Sequence, residues 1–172
     1  MTVAPVWINI ETNHLTPAIT RINENVTAHD WAATIKSGNL DEVKAHEKSI
    51  GENTSLAMEI AAYYGHADVA RWIYATFPRL STMCSAILAA REGHLNYLEW
   101  LVPTIDQGSD AYTIIVSAFN GHFECVKFLY HSFTTPSIPK HFNYIVEEAT
   151  AAANEKNYSE ISEWLAIAFN NH

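Results

Sequence analysis

The pair Gly-His recurs at a fixed interval in the middle of the chain. It stands at Gly65-His66, Gly93-His94 and Gly121-His122, each 28 residues after the last. Around it three segments align: AAYYGHADVARWIY (61–74), AAREGHLNYLEWLV (89–102) and SAFNGHFECVKFLY (117–130). Self-similarity at such a period marks a repeat architecture. One unit cannot bury its apolar face alone, and stacked units share a continuous core.

Two weaker copies flank these three. ATIKSGNLDEVKAHE (33–47) has Gly38 in the glycine column, and AAANEKNYSEISEWLA (151–166) aligns with Lys156 there. On that alignment one column holds Leu40, Ala67, Leu95, Phe123 and Tyr158, and another Val43, Ala70, Leu98, Val126 and Ile161, all apolar or aromatic. The position after it holds Lys44, Arg71, Glu99, Lys127 and Ser162, all polar. Apolar positions three apart beside a fixed polar one give a helix with a buried face and a wet face. Asp41, Asp68, Asn96, Glu124 and Ser159 fall where that helix begins, as caps or as favourable charges on its dipole. Each unit therefore reads helix, turn, helix. The first helix, as in Ser55–Tyr64, is short and Ala-rich, and glycine ends it because positive φ costs glycine little. The second runs from about His66 to Tyr74.

These residues resemble ankyrin repeats. The stretch LAMEIAAYYGHADVARWIY from Leu56 is similar to the family's two alanines, Gly-His, acidic residue and apolar helix. It departs from the family in lacking the T-P-L-H signature and in its shorter repeat. The resemblance implies an all-α, ankyrin-like solenoid of about five stacked helix-turn-helix repeats with short loops in place of long fingers. The units span about 31–52, 53–80, 81–108, 109–140 and 141–172. Residues 1–30 form an N-terminal arm or cap: Val6–Ile10 reads as a short strand or extended arm, and Thr16-Pro17 as a helix start that covers the end of the stack.

The resemblance also points to a site. The two residues before each glycine face the concave groove in ankyrin-like stacks. Here they are Lys36-Ser37, Tyr63-Tyr64, Arg91-Glu92, Phe119-Asn120 and Asn154-Glu155. Tyr, Arg and Phe are the residue types of interface hot spots. The expected contact residues are Lys36, Tyr63, Tyr64, Arg91, Glu92, Phe119, Asn120 and Glu155. The implied function is non-catalytic binding of a partner protein through that groove. The repeat style is similar to repeats of microbes and viruses that live with eukaryotic cells, which implies a host protein as one partner class. A self-assembling structural subunit and a small helical enzyme without a recognisable motif are the alternatives.

Composition and motifs narrow the chemistry. Ten Lys and Arg against nineteen Asp and Glu give a net charge of −9, which disfavours nucleic acid and anionic membranes and suits a basic partner. No apolar run reaches the length of a membrane span, and the first residues, MTVAPVWINIETN, read as no secretory signal. Two cysteines make no disulfide framework. An intracellular, cytoplasmic setting is expected, with a monomer favoured and delivery into a host cell as a variant. No cofactor is expected, and no catalytic or metal site. His66, His94 and His122 lie one repeat apart, too far to share a zinc ion, and read as turn histidines bonded to backbone. Cys125 and Cys84 read as packing residues rather than nucleophiles. Trp72, Trp100 and Phe128 share a column and read as packing aromatics.

Overall fold

The computed structural model describes residues 6–77, 82–104, 112–134 and 141–170. Among them every regular element is helical. The chain opens with α1 (Val6–Ile10), a π-helical turn (Glu11–Leu15) and α2 (Thr16–Ala28). Paired helices follow: α3 (Asp30–Ser37) with α4 (Leu40–Ala45) and a short α5 (Glu47–Glu52); α6 (Thr54–Tyr63) with α7 (Ala67–Thr76); α8 (Met83–Glu92) with α9 (Leu95–Leu101); α10 (Tyr112–Phe119) with α11 (Phe123–Thr134); and α12 (Phe142–Glu155) with α13 (Ser159–Asn170). A 3-10 turn, Val102–Thr104, extends α9. The expected short loops around Pro78, Gly108, Pro136 and Pro139 lie outside the described residues.

Side-chain size sets the shape of the stack. The first helices of the pairs meet through small buried residues: Ala57, Ala61, Ala86, Ala90, Ser117, Ala118, Ala149 and Ala153. Small side chains let helix axes approach closely. The second helices carry Trp72, Tyr97, Trp100, Phe128 and Tyr130, and these helices pack less closely on one another than the first helices do. A tight layer beside a wider one curves the stack, with α6, α8, α10 and α12 on its concave side. Trp72, Trp100 and Phe128 do pack on the core, each half-buried, with Trp100 edge-on to Tyr97 at 5.6 Å.

The turns repeat with little variation. Gly38, Gly65, Gly93 and Gly121 have φ of 74°, 78°, 77° and 80°, which a side chain disfavours. After the last three, the N–H of His66, His94 and His122 donates to Ala61, Ala89 and Ser117 carbonyls, each at 2.9 Å. The fifth pair makes the same turn one residue later than the sequence alignment places it. Asn157 has φ 62°, and the Tyr158 N–H donates to the Ala153 carbonyl at 2.9 Å. Asn157, not Lys156, is thus the glycine equivalent, since Asn tolerates the left-handed region. Tyr158 then takes the histidine column. Ser162 moves from the polar column into that of Ala70, and accordingly it is buried.

Residues 6–28 differ most from expectation. Val6–Ile10 is helical, not a strand or an extended arm. Thr16 is no cap: its backbone is helical (φ −57°, ψ −47°) and the helix runs through it. Trp7, Ile10, Leu15, Ala18 and Ile22 are buried along one side. The step from Ile10 to Leu15 is five residues, which in an α-helix swings a side chain about 140° off the face. The π turn restores the face, because each of its rings closes over five residues. Its signature is the Thr16 N–H donating to the Glu11 carbonyl, which the Thr16 Oγ1 also reaches at 2.8 Å. Pro17 follows directly. It has no N–H to donate and its ring crowds a regular helix, so a widened turn is where it fits.

Candidate interaction surface

The expected contact residues sit at the C-terminal ends of the first helices and form one ridge. At one end Lys36 Nζ lies 5.4 Å from the centre of the Tyr64 ring. Tyr63 and Tyr64 pack edge-to-face at 5.0 Å. Burial raises both phenol pKa values, and at Tyr63 the nearby Glu92 carboxylate adds to this. Glu92 in turn pairs with Arg91. At the far end Lys156 Nζ lies 4.4 Å from the centre of the Phe119 ring. Lys36 and Glu155 are exposed, while Tyr63, Tyr64, Arg91, Glu92, Phe119 and Asn120 are half-buried. The shifted turn at Asn157 makes Glu155-Lys156 the equivalent pair in the fifth unit, in place of Asn154-Glu155.

The histidines hold this ridge in place. The ring of His66 covers Gly38, that of His94 covers Gly65, and that of His122 covers Gly93. Each also places Nε2 on a backbone carbonyl of the preceding unit: His66 on Lys36 at 2.8 Å, His94 on Tyr63 at 3.0 Å, His122 on Arg91 at 2.7 Å. These carbonyls belong to ridge residues. A histidine from each unit thereby fixes the ridge residue of the unit before. Tyr158 lays its ring over Gly121 in the same way.

Part of the concave face is already covered by the chain itself. Segment 6–28 packs on α3, α6, α8, α10 and α12, the helices of the concave layer. The Trp7 indole N–H donates to Glu155 Oε2 at 3.1 Å, and its ring lies 6.4 Å from that of Phe119. Arg91 donates to Glu11 Oε1 at 3.0 Å. Burial lowers the Arg91 pKa, but its bonds to Glu11 and Glu92 more than offset this and raise it. Further along, Arg21 pairs with the buried Glu59. The segment reaches well beyond the end of the stack that it was expected to cap. Arg91 and Glu155 are bonded to the segment and Phe119 packs near its Trp7, whereas Lys36 and Tyr63 make their ring contacts with Tyr64.

Trp7, Glu11, Arg21 and Glu59 were not among the expected site residues. The signal for Trp7 and Glu11 was their spacing of four, which places both on one side of a helix. On the segment's other flank a cavity of about 490 Å³ is lined by Ile10, Pro17, Arg21, Met83, Cys84 and Tyr112 among others. Burial pushes the Cys84 thiol up to about 11, and Cys125 likewise, so neither is a thiolate at neutral pH. Among the described residues, no helix is long and apolar enough to cross a membrane.

Residues 58–139 match the family model for ankyrin repeats, in 3 copies. Over that span the chain carries ankyrin repeats. Neither a curated protein nor a solved structure matches it. Ankyrin repeats are in general protein–protein interaction modules and typically non-catalytic. The matched span includes the units that supply Tyr63, Tyr64, Arg91, Glu92, Phe119 and Asn120.

Proposed function

We propose that this ankyrin stack binds a partner protein through its concave ridge, without catalysis. The observation that carries this reading is the cluster of Lys36, Tyr63 and Tyr64. Two tyrosines pack edge-on to each other beside a cation, half-buried, on a backbone that His66 and His94 hold from the next units. Rigid aromatic groups on a preformed surface bind with little loss of conformational freedom. Glu92 and Asn120 extend the surface along the ridge. Arg91, Phe119 and Glu155 join it where segment 6–28 gives way. The net charge of −9 speeds encounter with a basic partner, an effect that salt screens.

The test is paired capture with wild type and Tyr63→Ala/Tyr64→Ala as baits. Eukaryotic cell lysate is the natural source, given the host-associated repeat style. A captured protein is then titrated against both baits. The double change should weaken its binding by roughly 2 kcal/mol or more while leaving the circular dichroism spectrum unchanged. Equal affinity for the two baits would move the site off this ridge.

A further inference from the structure

The segment seated on the concave face shows what that face accepts. We infer that the part of the groove between Arg91 and Glu155 is a receptor for an amphipathic partner helix with an aromatic ring and a carboxylate one turn apart. The chain's own residues 6–15 occupy this site until such a helix displaces them. This rests on the proposed binding function and specifies its ligand.

Three observations carry it. First, the contacts are those of helix recognition. Trp7 and Glu11 are four residues apart on one face of their helix, and they meet complementary groups on different repeats. Glu155 accepts the indole N–H, Phe119 packs near the ring, and Arg91 pairs with the carboxylate. Anchors at i and i+4 laid into a groove are a general mode of peptide recognition. Second, the receptor side is preorganised. His122 fixes the backbone of Arg91 from the next repeat, and Glu92 pairs with its guanidinium. Third, the occupying end is the one able to leave. The helix α1 has five residues, joined to α2 through a π turn, and a helix so short is marginal without packing. The other end is held separately, by Arg21 on buried Glu59 and by Ile22 in the core. Residues 6–15 also bury Trp7, Ile10 and Leu15, so the helix that displaces them while α2 stays must cover the same apolar surface, which is why it is amphipathic. The carboxylate of the incoming helix answers Arg91 locally and leaves the overall charge preference unaltered.

The probe is a fluorescein-labelled peptide with the sequence of residues 1–28, titrated by fluorescence anisotropy against full-length chains. In wild type the groove is occupied and the peptide should bind weakly. In Trp7→Ala/Glu11→Ala the internal helix loses both anchors and brings no charge of its own to position 91, so the peptide should bind about ten-fold tighter or more. Adding Arg91→Glu should abolish that gain, and a peptide with Glu11→Arg should restore it. Circular dichroism and melting of each variant show whether the repeats remain folded. Equal binding to wild type and opened chain overturns the inference, as does no binding to an opened chain that is folded. A chain that doubles in mass on opening and ignores the peptide also overturns it, in favour of a second copy as occupant. Should the peptide fail while Tyr63→Ala/Tyr64→Ala still loses a captured partner, the binding function stands and only its helical ligand falls.

Discussion

His122 Nε2 lies 2.7 Å from the backbone carbonyl of Arg91, the residue whose guanidinium holds Glu11. One side chain thus joins two repeats and steadies the group that receives the N-terminal helix. The same ring lies over Gly93, where an added Cβ would come within 2.4 Å of it. His122→Ala should destabilise the chain by about 1 kcal/mol, the worth of one hydrogen bond. Gly93→Ala should cost more, about 1–2 kcal/mol for its positive φ together with the clash. Because the clash needs the ring, the double variant should lose less than the two single losses combined. Urea melts of the four proteins check this. Strict additivity would show that ring and glycine do not touch.

Asn157 is the non-glycine residue with positive φ among the described residues. Replacing it with glycine should leave stability unchanged or raise it by up to about 1 kcal/mol. Replacing it with alanine should lower stability by a similar amount. Thermal melts of the two variants are the check. Equal melting points for Gly and Ala would place the turn elsewhere.

Glu59 is 8% exposed and pairs with Arg21, which reaches it from the N-terminal helix. Arg21→Ala strands a buried carboxylate and should cost about 1–3 kcal/mol. Arg21→Ala/Glu59→Gln should recover part of this, since the uncharged amide is cheaper to bury unpaired. Chemical denaturation of both variants measures the difference. No loss in the single variant would mean that the pair does not hold the helix.

Alkaline pH should weaken the fold. Burial raises the thiol pKa of Cys84 and Cys125 to about 11. Unfolded thiols ionise near about 8.5. Below that pH both states keep their protons and the stabilisation is complete. Above it the unfolded chain ionises first, so stability falls as pH rises towards 11. Tyr63 and Tyr64, also raised, act in the same direction at still higher pH. Melting temperature should be level from pH 7 to about 8.5 and then decline. A melting temperature that rises between pH 9 and 10.5 would reverse the sign.

The repeats were legible because glycine and histidine do one job each at a fixed period. Glycine supplies the positive φ, and histidine fills the space that glycine leaves while reaching back to the preceding unit. Where other residues do those jobs, the pattern fades. Asn157 and Tyr158 replace Gly and His in the last turn, and the column register slipped by one there. The N-terminal helix was less legible for a different reason. Its buried stripe takes one five-residue step, from Ile10 to Leu15, so it fits no single helical period. Its place on the concave face depends on Trp7, Glu11 and Arg21 meeting residues 148, 80 and 38 positions away. Local sequence pattern carries no trace of such distances. The ridge itself followed from a family resemblance, and periodicity alone would not have separated Tyr63 and Tyr64 from ordinary packing residues.

The central claim is that partners are bound on the concave side, and a photo-crosslinking residue reports it directly. Benzoylphenylalanine is placed at Tyr64 on the ridge or, in a second protein, at Tyr74 on the outer helix α7, where the side chain is 36% exposed. Both proteins are irradiated in the lysate that yields the captured partner. The account predicts a partner adduct from position 64 and none from position 74. An adduct from position 74 alone, or equal adducts from both, would contradict it.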